Sequence, residues 1–233
     1  MMNKWVLSNG TVIYQILGGR SNVYLIKNQT LNYLIDTAKT GARRKLIRRL
    51  KKLKVSNIDW LLLTHAHFDH CQNAAFLKKE FGCKIAANIN ASSLIAKGYS
   101  PLPEGTLRFS RLIIFLAKSL KLRIGHYISF SPDLYFNKEW ELETKPATIE
   151  LIHTPGHSID SSTIIVNREI ALVGDTMFGI FPNHIIPPFA DDKNQMISSW
   201  QHLEKYGCHT FLPGHGKKIS KQRVKNELKQ YRN

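Results

Sequence analysis

The stretch Asp59-Trp60-Leu61-Leu62-Leu63-Thr64-His65-Ala66-His67-Phe68-Asp69-His70 sets a near-continuous apolar run directly against three histidines and an aspartate. Such a run reads as a strand covered on both faces. The chain is still extended just beyond it, so His65 and His67, two residues apart, project the same way and can share one metal ion. Asp69 and His70 then fall where a helix starts and the chain turns. Each of these polar groups would need its own buried partner if the cluster were mere packing, so the residue types point to metal binding. Taken alone, the cluster still admits a mononuclear site or a run of loop histidines.

Working outward, residues 11–17 (TVIYQIL), 22–26 (NVYLI) and 32–37 (NYLIDT) read as an antiparallel meander, broken at Gly18, Gly19 and the turn at 28–30. A basic segment, residues 43–54 (RRKLIRRLKKLK), repeats Leu46, Ile47, Leu50 and Leu53 at helical spacing. Residues 69–81 predict one helix that stops at Gly82, followed by a short strand at 84–87. Helices are expected at 92–97 and 107–122, then a loop region to about 145. The second half reads as strands at 147–153, 162–166, 169–173 and 210–212, with helices at 194–206 and 220–230. This alternation implies an α/β fold, an αββα sandwich of two mixed sheets flanked by helices. One domain over residues 1–233 is expected, with a substrate-pocket insertion at about 92–145.

Three more strands exit into short polar motifs: Thr154-Pro155-Gly156-His157-Ser158, Gly174-Asp175-Thr176 and Pro213-Gly214-His215-Gly216. With Asp36 at the end of an early strand, these motifs match in order and spacing the five motifs of the metallo-β-lactamase superfamily, which the chain resembles over most of its length. The resemblance implies that His65, His67 and His157 hold one metal ion and Asp69, His70 and His215 a second, with Asp175 bridging. It makes Asp36 a structural acid that supports the histidine loop. Two Zn2+ ions are the expected cofactors, and Mn2+ or Fe suits the same nitrogen and oxygen donors. A hydroxide bridging the ions would be the nucleophile, with Asp69 orienting it or relaying a proton to the leaving group.

True β-lactamases of this superfamily lack the bridging carboxylate, so the presence of Asp175 looks like the thioesterase and lactonase branches. The run Gly174-Asp175-Thr176-Met177-Phe178 is similar to glyoxalase II, but the chain ends soon after His215, where that family carries a helical substrate domain. Lactonases of the family place a tyrosine where this chain has Phe178. The expected reaction is hydrolysis of an ester, thioester or lactone with an apolar acyl part; the alternative is a phosphodiesterase or nuclease. Phe178, Phe181 and His184, in the loop at 177–189, are expected at the rim of the pocket.

Composition sets the remaining bounds. With 43% apolar and 21% charged residues, the 233-residue chain is ordinary for a soluble protein. Neither a leader nor a membrane span is visible, and three unpaired cysteines suggest a cytoplasmic location. Lys plus Arg exceed Asp plus Glu by 33 to 17, giving a net charge of +16, concentrated at 43–54 and 217–232. Both segments read as solvated helix faces. The excess also fits a small-molecule substrate with an anionic end, or nucleic acid as a less favoured partner. His153 and His209 read as structural residues, and Cys71 and Cys208 as packing.

Overall fold

The computed structural model describes residues 2–19, 21–29, 31–120 and 124–231. In the first sheet, β1 (Lys4–Val6), β2 (Val12–Leu17), β3 (Val23–Lys27) and β4 (Asn32–Ile35) form an antiparallel meander. To it β5 (Trp60–Leu62), β6 (Lys84–Asn88) and β7 (Leu134–Phe136) are added in parallel. In the second, β8 (Glu139–Thr144), β9 (Ala147–His153), β10 (Ser162–Val166) and β11 (Ile170–Gly174) run antiparallel. The sheet continues with β12 (Thr210–Pro213), parallel to β11, and ends at β13 (Ile219–Ser220).

Side-chain alternation along the strands sorts the core into three layers. Tyr24 and Ile26 of β3, Ile35 of β4 and Leu62 of β5 face Ile149, Leu151, Ile164 and Leu172 across the gap between the sheets. Their alternates in the first sheet, among them Val23, Leu25 and Leu61, meet α1 (Arg43–Lys52), α3 (Ala74–Phe81) and α4 (Ser92–Lys97). In the second sheet Ile165, Ala171 and Val173 pack against α6 (Lys193–Glu204) and α7 (Lys221–Leu228). The αββα sandwich read from the sequence is the architecture found. Leu46 and Leu50 of α1 are buried while Arg44, Lys45, Arg48, Lys51 and Lys52 are exposed, so that basic run is a solvated face.

Two expectations are corrected. The single helix over 69–81 is two, α2 (Phe68–Cys71) and α3, separated at Gln72 and Asn73. The fully buried Asn73 side chain reaches the carbonyls of Thr37, Ala38 and Lys39 at 2.9 to 3.0 Å and accepts from Arg43 Nε at 2.9 Å. Those bonds hold it in place of a continuous helix. The loop region expected up to 145 contains β7 and β8, which extend one sheet each, after the helices α4 and α5 (Arg108–Ser119). The strands β1 and β13 were not foreseen. Leu122, Thr30 and Arg232, placed by the sequence at a helix end, in a turn and in the basic C-terminal run, lie outside the described residues.

Candidate metal centre

Both sheets send chain ends to one place. The first contributes Asp36, one residue past β4, and the segment after β5 that carries His65, His67, Asp69 and His70. From the second come His157, Asp175 and His215, after β9, β11 and β12. Cross-sheet bonds fix the meeting: Ser162 N donates to Thr64 O at 2.8 Å, Ala66 N to Asp160 Oδ2 at 2.7 Å, and Asn22 N to Gly214 O at 2.6 Å. Glycine at 214 is needed for space, because a Cβ there would collide with Asp175 Oδ1 and lie 2.6 Å from His70 Cε1.

The hydrogen-bond partners decide which ring nitrogen each histidine presents. Thr64 donates its hydroxyl to Asp36 Oδ2 at 2.8 Å, so its lone pair accepts from His65 Nδ1 at 3.0 Å. His70 Nδ1 donates to Asp36 Oδ2 at 2.8 Å and His157 Nδ1 to the carbonyl of Phe189 at 2.8 Å. All three therefore turn Nε2 inward, whereas His67 turns Nδ1, which lies 3.0 Å from His157 Nε2. His70 Nε2 and His215 Nε2 lie 3.4 Å apart, and Asp175 Oδ2 is 3.2 Å from His215 Nε2. Asp69 Oδ2 lies 3.3 Å from His215 Nε2 and accepts from Ser21 Oγ at 3.2 Å.

Such a cluster fits metal ions. His65 Nε2 is buried without a hydrogen-bond partner among the described residues, a costly state unless a cation meets it, and Asp175 Oδ1 faces His70 Nε2 at 3.4 Å. Two nitrogens about 2.1 Å from one tetrahedral ion stand about 3.4 Å apart, close to the His70–His215 spacing. Ligand atoms of three trios, His65/His67/His157, His65/His70/Asp175 and Asp69/His70/His215, lie within 4.8 Å of one another. These are the seven residues expected from the sequence.

Electrostatics divide the cluster in two. Burial, and the neighbouring His70 and His67, hold His65 well below the ordinary imidazole range, and burial with His157 pushes His67 down to about 3. For His70, burial is outweighed by the charges of Asp175, Asp36 and Asp69, which hold it well above that range. His215 is raised to about 9, since Asp175 and the bonds to Asp175 and Asp69 outweigh burial. Burial acts upward on Asp69 and Asp175, but the facing His70 and His215 hold both carboxyls below their usual range. Burial and like neighbours thus disfavour the charged form of His65 and His67, whereas the carboxylates of Asp175 and Asp69 favour it for His70 and His215.

A cavity of about 220 Å³ opens beside His67, Asp69, His157, Asp175 and His215. Its walls are Phe68, Leu102, Pro103, Phe178, Pro187, Pro188 and Phe189, with Lys39 as its cation. Phe178 also packs on the His215 ring, centroids 4.9 Å apart. Phe181 and His184 are not among the lining residues; they stack on each other at 4.5 Å, and Arg223 Nη2 binds both their carbonyls. His153 and His209 bond to Ile159 O and Thr210 Oγ1, away from the cluster. Cys71 and Cys208 are buried, with thiols pushed up by burial, Cys208 to about 12.

Asp36, expected to support the histidine loop, and its neighbour Thr64 bond the rings, whereas Ser158, next to His157, bonds Ser161. Leu102 and residues 187–189 at the cavity lie in the insertion and the 177–189 loop that the sequence placed at the pocket, though it did not single them out, and it missed Lys39. It also missed Asn22, Asn73 and Asp160 behind it. Asn73 left a signal, a poor helix former inside an expected helix; the others left none.

The family model described as the metallo-beta-lactamase superfamily matches residues 16–215. The chain is 31% identical over 140 residues, 59% of its length, to the hydroxyacylglutathione hydrolase GloC of Haemophilus influenzae, and spans 58% of that protein. It is 27% identical over 215 residues, 85% of its length, to a probable metallo-hydrolase of Methanocaldococcus jannaschii, and spans 89% of it. Among solved structures, an archaeal metallo-beta-lactamase superfamily protein from Sulfolobus tokodaii superposes with a TM-score of 0.66 at 17% identity, covering 94% of this chain and 85% of that one. That likeness is one of fold.

Proposed function

Because the chain belongs to the metallo-β-lactamase superfamily, we propose that it hydrolyses an ester, thioester or lactone whose acyl part is apolar. The observation that carries this reading is the cavity: a largely apolar wall on one side, the histidine and aspartate cluster on the other, and room of about 220 Å³. The name of the bacterial relative, a hydroxyacylglutathione hydrolase, describes cleavage of an acyl group and supports the same class.

In this reading His65, His67 and His157 would hold one divalent ion and Asp69, His70 and His215 the other, with Asp175 contributing its carboxylate. Such ions, zinc being the leading choice for this donor set, would polarise the scissile carbonyl and would bring the pKa of water towards about 7. The protein's own groups do the rest. Asp69, the more exposed of the two carboxylates at 18% against 9% for Asp175, would relay a proton through Oδ2 to the leaving group. Phe178 and the 187–189 turn keep water away from the acyl part. Lys39, with Nζ 4.6 Å from the Phe68 ring centre, receives an anionic group at the edge of the cavity. A neighbouring groove lined by Ser21, Gly41 and Lys45 shares Lys39 and extends the positive surface.

Hydrolysis of a long-chain acyl thioester, an acyl lactone and bis(p-nitrophenyl) phosphate by the zinc-loaded protein tests this. The expected result is turnover of the acyl compounds, reduced at least about a thousandfold by His67→Ala, a loss of about 4 kcal/mol of transition-state stabilisation. Turnover of the phosphodiester alone overturns the acyl reading.

A further inference from the structure

Helix α5 leaves the fold in an unusual way. Phe109, Leu112, Ile113, Leu116 and Leu120 follow the i, i+3, i+4, i+7, i+11 pattern of one helix face, yet with Phe115 they are 46% to 68% exposed. Ser110 and Ile114, on the other side of the helix, are buried and tie it down. An amphipathic helix normally turns its apolar stripe inward; here the stripe faces out, and Ile128 beside it in the sequence is 70% exposed. An apolar surface of this extent in water marks a binding surface.

Charge identifies the occupant. Between Glu104 and Asp133 the sequence holds no acidic residue, and it holds Arg108, Arg111, Lys118, Lys121 and Arg123. A second copy of the chain would bring a like-charged segment against this one with no acid to pair. A surface of anionic lipid headgroups over hydrocarbon complements both the basic residues and the apolar stripe. At 12 residues α5 is about 18 Å long, too short to cross a bilayer core of about 30 Å and suited to lying in its interface.

Its tether joins it to the cavity. Thr106 N donates to Pro188 O at 2.9 Å, Ala190 N donates to Glu104 O at 2.9 Å, and Gly105 pairs with Phe189. Pro188 and Phe189 line the cavity, as do Leu102 and Pro103 just before the helix. We propose that the outward apolar stripe of α5 docks the protein on an anionic bilayer surface, holding the mouth of the cavity beside the lipid. The docking stands on α5 and does not depend on which bond the centre cleaves.

Co-sedimentation with vesicles tests it, using phosphatidylcholine alone and phosphatidylcholine mixed with phosphatidylserine. The wild type is expected to pellet with the phosphatidylserine vesicles, less so in high salt. A Leu112→Ser/Phe115→Ser double variant, altered only at exposed positions, is expected to keep the wild-type melting temperature and lose binding by at least about tenfold. Arg108→Glu, on the same helix, is expected to weaken binding without touching the apolar stripe. Failure of the wild type to bind phosphatidylserine vesicles overturns the docking, as does undiminished binding by the double variant. A wild-type dimer in light scattering that the double variant turns into a monomer also overturns it, in favour of a second copy on this face. None of these outcomes bears on the acyl hydrolysis, which the substrate panel tests separately.

Discussion

Asp36 sits at φ 59°, a left-handed conformation that aspartate and asparagine adopt more readily than most side chains, with both carboxylate oxygens engaged. Oδ1 accepts from the Thr64 backbone at 2.9 Å; Oδ2 accepts from the Thr64 hydroxyl and from His70 Nδ1. Through Thr64 it also fixes His65. A single carboxylate therefore orients His70 directly and His65 through Thr64 while belonging to none of the three trios. Asp36→Asn keeps the backbone conformation and one acceptor but offers His70 a weaker partner. It is expected to lower zinc affinity by about 10- to 100-fold while the protein stays folded, as read by competition with a chelating dye and by circular dichroism. Affinity equal to the wild type's would show that the bond to His70 does not orient a ligand. The ring-bearing residues were legible in the sequence because imidazoles and carboxylates at strand exits have few other uses. Their orientation was not, since the Phe189 carbonyl that turns His157 belongs to a distant loop and any residue could supply it.

At the scale of elements, the ligands depend on how strands end and how the next segment begins. Asn73 separates α2 from α3 and grips the 37–39 backbone, where Ala38 also has positive φ, 57°. Removing its amide leaves three carbonyls and the Arg43 guanidinium without that partner. Asn73→Ala is expected to cost about 1–3 kcal/mol in urea unfolding and to lower metal content in parallel, because α2 carries Asp69 and His70. An unchanged midpoint would mean that the break is held by something else. Two strands that end at candidate ligands, β5 and β11, were readable, as was their companion β10, since they are buried on both faces and appear as continuous apolar runs. The edge strands were harder. The residues of β8, EWELET, do alternate, a signal the sequence holds. In contrast, β7 has three residues and β13 two, too short to show a period, and they exist as strands because a neighbour offers hydrogen bonds.

For the whole molecule, the centre is a joint between two sheets. His65, His67, Asp69 and His70 come from the first and His157, Asp175 and His215 from the second, so each trio that could hold an ion, as assigned, draws on both. Binding an ion only in the folded state adds stability by mass action, about 4 kcal/mol when it is present at a thousand times its dissociation constant. The joint sets His65, His67 and His70, which follow the first sheet, beside His215, which follows the second. The architecture followed from the alternation of strands and helices, but the cavity did not. Its wall combines Phe68, the 102–103 segment and the 187–189 turn, and only the folded chain brings these together. The measurement closest to the central claim is a titration of chelator-stripped protein with zinc, reading long-chain acyl thioester hydrolysis and bound metal together. The account predicts negligible activity in the stripped protein and a rise that saturates at about two ions per chain; stripped protein that hydrolyses the thioester as fast as the loaded form would contradict it.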